Sequence, residues 1–280
     1  MTTKPIYQFY FRISVLLTLL AALGQSLLYF LSFDTALYLY ERGPLPTILG
    51  VCIAAAVVFM LSYIFAVKKE AAPESLPAPG RNVTFTAALS GFFILATLIL
   101  TLLYSLNGLE TDALSSPLAV AANVFSIPAA CYFFVTALNP SPNPKAHALL
   151  GCTLVIWLIL YTLSSYFHMN FSINSPLKIY NQMALLAAMF YFLQEVRYPL
   201  ERQRPAQHRA FGFIAMLLLA VSSLPTLLLT FAFRISITSD TIYYLAELAM
   251  AFYIFTVLSS CAKPASSAKE KNDPLTPDEF

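Results

Sequence analysis

The sequence predicts an all-α, polytopic transmembrane bundle of eight helices arranged as four antiparallel hairpins, with the N and C termini cytoplasmic. Three observations predict it. First, 59% of the 280 residues are apolar and only 11% are charged, where a soluble domain carries about 25% charged residues. That excludes a water-covered globule, which lacks charge for its surface, and a disordered chain, which buries little. Second, apolar runs recur at the length that crosses a hydrocarbon layer, roughly 20 residues for about 30 Å. Third, the basic residues crowd onto alternate connections.

The apolar runs lie at 13–33, 46–67, 85–106, 117–138, 148–167, 179–196, 211–233 and 242–261. They are continuous rather than alternating, and a lipid-facing backbone needs internal hydrogen bonds, so each is predicted to be a helix and not a barrel strand. The first run follows Lys4 and Arg12. Its Ala22-Leu23-Gly24 resembles a signal-peptide cleavage site, but the run continues through Leu27, Leu28, Tyr29 and Phe30, which favours a retained span. The second ends in a long inner segment with Pro73, Pro77 and Pro79. The fourth and sixth open with Ser116-Pro117 and Ser175-Pro176, a cap followed by a first-turn proline. Between the fourth and fifth, Pro140, Pro142 and Pro144 predict a stiff, extended link. Pro128 and Pro225 fall inside spans; Ser126, and Ser222, Ser223 and Thr226, stand ready to bond the carbonyls that proline frees. The run of Glu195, Arg197, Glu201, Arg202 and Arg204 reads as a solvated inner loop with local ion pairs. One transmembrane domain covers 1–262, and the polar tail 263–280 is predicted to be disordered.

With the N-terminus inside, inner segments carry Lys4, Arg12, Lys68, Lys69, Arg81, Lys145, Arg197, Arg202, Arg204, Arg209, Lys263, Lys269 and Lys271, and outer loops only Arg42, Lys178 and Arg234. Cytoplasmic loops are the basic ones, so this fixes the expected orientation, in an inner (plasma) membrane. The basic residues serve as span flanks, and no nucleic-acid partner is expected.

The hairpins, at 10–68, 84–139, 147–197 and 209–262, resemble one another. Each even-numbered span carries an aromatic cluster in its inner half: Tyr63-Ile64-Phe65, Tyr132-Phe133-Phe134, Tyr191-Phe192 and Tyr253-Ile254-Phe255. Two readings stand: an old parallel duplication, or an interfacial aromatic belt of the kind unrelated membrane proteins share.

Polar groups within the spans point to a site. Glu247 lies in the outer part of the last span; Asn123, Asn181, Gln182 and Gln25 lie in outer halves, and Arg234 follows the seventh span. Glu247 either pairs with Arg234 or reaches interfacial water, or else is a ligand-binding or proton-coupling carboxylate. Asn123, Asn181 and Gln182 act as interhelical glue or contact the same ligand. The candidate ligand-binding set is Glu247, Gln182, Asn181, Asn123 and Arg234, in a polar pocket open to the outside. Asn170-Phe171-Ser172 is a glycosylation sequon in an outer loop.

Enzyme chemistry finds little here. Neither H-E-x-x-H nor G-x-S-x-G occurs, and His147, His168 and His208 are dispersed. Cys52, Cys131, Cys152 and Cys261 form no C-x-x-C and read as free thiols. No metal or cofactor is expected. The five span glycines, Gly24, Gly50, Gly91, Gly151 and Gly212, form no cluster of the sort a broken-helix ion site uses. The expected partners are the bilayer, a small-molecule ligand, and other membrane proteins. Binding or transport of a small molecule or lipid through the outer pocket is the first expectation. The alternative is a non-transporting sensor or assembly subunit.

Overall fold

A computed structural model describes residues 3–34, 39–40, 43–67, 80–107, 116–138, 143–167, 176–202, 204–232 and 239–262. It contains eight α-helices: α1 Thr3–Ser32, α2 Pro44–Ala66, α3 Arg81–Leu106, α4 Pro117–Leu138, α5 Pro144–Phe167, α6 Pro176–Glu195, α7 Pro205–Ala232 and α8 Ser239–Ala262. A two-residue antiparallel pair, Phe33–Asp34 with Leu39–Tyr40, follows α1. Five helices begin at proline, whose missing N–H costs nothing in a first turn and whose φ is already helical. That is why α5 and α7 start several residues ahead of their apolar runs.

Among the described residues, seven helices are long and apolar enough to cross a membrane. The exception is α6, expected as the sixth span: Lys178, Asn181, Gln182, Gln194 and Glu195 dilute its apolar character. Lys178, expected in an outer loop, sits in the first turn of α6, 8% exposed, and its Nζ donates to the Tyr166 carbonyl of α5 at 2.6 Å.

Helices α3 to α8 pack in a closed cycle, each on the next, and α8 returns onto α3. Threonine hydroxyls tie that closure, Thr86 to Thr256 at 2.8 Å. α1 and α2 pack on one another and on α7, which is consequently the most buried helix. α1 extends ten residues ahead of its apolar run because its first turns find partners. Tyr7 donates to the Leu258 carbonyl of α8 at 2.6 Å and stacks with Phe213 of α7; Tyr10 stacks on Phe59 of α2.

The four tyrosines read as belt or repeat are the largest fully buried side chains of the protein: Tyr63, Tyr132, Tyr191 and Tyr253 are each at most 1% exposed. They form core, not a lipid-facing belt. Around two of them the same arrangement appears twice. Tyr132 of α4 stacks on His147 of α5 at 4.8 Å, and Tyr191 of α6 packs against His208 of α7 at the same separation. One turn after each histidine a glycine faces the tyrosine. A Cβ on Gly151 would stand 3.3 Å from Tyr132 and 2.3 Å from a Val196 methyl; one on Gly212 would stand 3.2 Å from Tyr191. The local sequence repeats with the geometry: Pro144-Lys-Ala-His147-Ala-Leu-Leu-Gly151 and Pro205-Ala-Gln-His208-Arg-Ala-Phe-Gly212.

The hydroxyls near the two internal prolines behave differently from expectation. Ser126 donates to the Asn123 carbonyl, Ser223 to Leu219 and Thr226 to Ser222. None of these bonds reaches Val124 or Val221, the residues four before each proline. Cys52, Cys131 and Cys152 are exposed on the outside of the bundle, and Cys261 is half-buried.

Candidate functional site

Glu247 is wholly buried. It stands eight residues into α8, about 12 Å along the axis at ~1.5 Å per residue. The expectation that it reaches interfacial water is overturned, because helices α5 to α8 close around it. Arg234, its other expected partner, lies outside the described residues, as do the sequon and the loop residue His168. Instead Asn181 of α6 donates its Nδ2 to Glu247 Oε1 at 2.6 Å. Oε2 has no hydrogen-bond partner among the described residues. Two hydroxyls border the carboxylate and are likewise without one: Ser222 of α7 and Tyr243, one turn earlier on α8. Tyr243 is held by Tyr161 of α5, stacked at 3.9 Å with the rings 13° apart.

The structure therefore brings together two of the five sequence-predicted residues, Asn181 and Glu247. Gln182 follows on α6, half-buried, with its Nε2 buried and unbonded among the described residues. Asn123 is half-buried on α4 and accepts from Ser126 through its carbonyl. Ser222, Tyr243 and Tyr161 were not singled out as ligand candidates. Ser222, expected to serve a carbonyl freed by Pro225, makes no such bond; Thr226 donates to the Ser222 carbonyl instead.

A second carboxylate was missed. Glu195, read as part of a solvated charged loop, is 3% exposed at the C-terminal end of α6. Tyr253 of α8 donates to its Oε1 at 2.5 Å. Its helix turns it inward: it lies one turn after Tyr191, on the face α6 presents to the core. The Arg197 guanidinium, two residues on, donates to Gln194.

A carboxylate taken from water without a cation costs several kcal/mol unless hydrogen bonds or a ligand compensate it. At Glu247 one amide bond compensates one oxygen. The remaining oxygen and two hydroxyls, contributed by α7 and α8, form a small acceptor-and-donor set inside an otherwise apolar bundle. Chemically, such a set suits a group that donates to a carboxylate while exchanging hydrogen bonds with hydroxyls. No protein-family model matches this chain, and no curated protein or solved structure does.

Proposed function

We propose that this integral membrane protein binds a small molecule or lipid headgroup that presents hydrogen-bond-donating nitrogen, a primary amine being the simplest case, at Glu247. The observation carrying the reading is the buried Glu247 carboxylate whose Oε2, like the hydroxyls of Ser222 and Tyr243, is without a partner among the described residues. Asn181 fixes the other oxygen. Gln182 and Asn123 complete the set as half-buried polar groups on α6 and α4, and Arg234, which lies outside the described residues, joins it as the sequence expects. Pro225, three residues beyond Ser222, interrupts the α7 hydrogen-bond ladder beside the site, which supports movement of α7 during binding or transport. The topology that goes with this reading is four hairpins with both termini cytoplasmic in the plasma membrane, supported by the skew of basic residues. The site then opens to the outside, and the protein acts by binding rather than by catalysis.

The test is thermal unfolding of the purified protein in detergent, titrated with primary amines and with their N-acetylated counterparts. An amine should raise the unfolding temperature of the wild type and not that of Glu247→Gln, with a reduced shift in Asn181→Ala. No shift with any amine, or an equal shift in Glu247→Gln, sinks binding at this site. That result favours the alternative, a sensor or assembly subunit that interacts with other membrane proteins.

A further inference from the structure

Glu195 lies fourteen residues from Asn181, about 21 Å along α6 at ~1.5 Å per residue, so its surroundings form a cluster separate from the Glu247 site. Every helix packed there contributes a titratable or charged group. Tyr132 comes from α4, with His147 of α5 stacked on it. Tyr191 comes from α6, and Tyr253 and Cys261 from α8. His208 and Arg209 come from α7. Arg209 is directed elsewhere: it donates to Tyr63 at 3.1 Å and lies over the Tyr7 ring at 4.4 Å.

The unsatisfied atoms concentrate on one spot. Glu195 Oε2 and the hydroxyls of Tyr132 and Tyr191, which border it, have no hydrogen-bond partner among the described residues. Both ring nitrogens of His208, 1% exposed, share that condition. The companion arrangement in α4 and α5 shows what a satisfied histidine looks like. At the position equivalent to Glu195, one turn after the tyrosine, stands Thr136, which hydrogen-bonds the His147 Nε2 at 3.0 Å. In the α6–α7 copy an acid replaces the threonine and the histidine is left without that bond.

The donor set limits the occupant. One carboxylate and neutral phenols are poor ligands for a metal ion, and the described residues hold no group of three His, Cys, Asp or Glu side chains. A proton suits the geometry better. It removes the buried charge and with it the demand of Oε2 for a donor that the described residues do not supply.

We infer that Glu195 is a proton-binding site. A proton delivered by hydronium from the adjoining water adds to Oε2, which the hydroxyls of Tyr132 and Tyr191 border, and water is released. Tyr253 continues to donate to Oε1. The site passes from one negative charge to neutral, and no covalent bond within the protein breaks. The inference stands whether or not Glu247 binds a ligand.

Infrared difference spectroscopy across pH, on the full chain reconstituted in nanodiscs of zwitterionic lipid, tests it. The wild type should show the carbonyl stretch of a protonated carboxylic acid that appears as pH falls. Glu195→Gln should remove that band. Glu247→Gln should retain it. Tyr253→Phe, which keeps the ring packing, should move it to higher frequency by deleting a hydrogen bond to the carbonyl. Should Glu195→Gln perturb folding, the Tyr253→Phe shift decides. Absence of the band in wild type, its persistence in Glu195→Gln, an unmoved band in Tyr253→Phe, or its loss on adding sodium ions at constant pH each overturns the assignment; the last points to a metal cation instead.

Discussion

The α4–α5 and α6–α7 pairs use one plan for different ends. In each, a helix-starting proline sets a histidine three residues later against a buried tyrosine of the preceding helix, and a glycine one turn on lets the two helices close on that tyrosine. They diverge one turn after the tyrosine. Thr136 completes the first copy with a bond to His147; Glu195 makes no bond to the second copy's histidine and accepts from Tyr253 of a third helix. The first copy thus bonds its histidine locally, while the second leaves its histidine without that bond and links its acid to α8. A shared scaffold with one bonded and one unbonded histidine separates what holds the helices together from what the second copy adds.

The largest expected effect breaks the shared part. Gly151→Val should lower stability by about 1–3 kcal/mol or more in thermal or denaturant unfolding, because its Cβ would meet Val196 at 2.3 Å. Val196→Ala should recover much of it. Gly212→Val should cost less, since its neighbours at 3.1 and 3.2 Å are chiefly the flexible ends of Leu258. Next, Tyr253→Phe deprives buried Glu195 of its hydrogen bond and should cost about 1–3 kcal/mol. Tyr132→Phe and Tyr191→Phe remove unbonded hydroxyls and should cost far less; equal losses at all three would show that the tyrosines are equivalent partners. Thr136→Val leaves His147 without a bond and should cost about 1 kcal/mol. The smallest effect is expected from His208→Phe, neutral to stabilising, because no bond is lost. A larger loss at His208 than at Thr136 would reverse the comparison.

Helix number was legible in the sequence because lipid-length apolar runs have few rivals. Helix starts were less so: the runs at 148–167 and 211–233 mark where apolar side chains begin, whereas the backbone turns helical at Pro144 and Pro205. Glu247 and Asn181 stood out as polar residues in oil. Glu195 did not, because Arg197, Glu201, Arg202 and Arg204 follow it and local charge patterning reads the whole stretch as wet. The recurring proline, histidine and glycine at Pro144, His147, Gly151 and Pro205, His208, Gly212 was present as a signal, and it marks the helix end where Glu195 is buried. The tyrosines were misplaced for another reason. A tyrosine near the end of a span has one composition whether it faces lipid or neighbouring helices, and only the packing of α4, α6 and α8 decides.

The bond from Tyr7 to Leu258 spans 251 positions of the chain, and Gln8 reaches Ala262 beside it. At synthesis rates of about 5–20 residues per second, roughly 10–50 s pass between emergence of the two partners. During that interval the leading segment sits in the bilayer without its final docking surface, since α7 and α8 are the last spans to be made. Assembly therefore finishes by latching the beginning of the polypeptide onto its newest part, and a ribosome stalled before α8 would leave α1 unmoored.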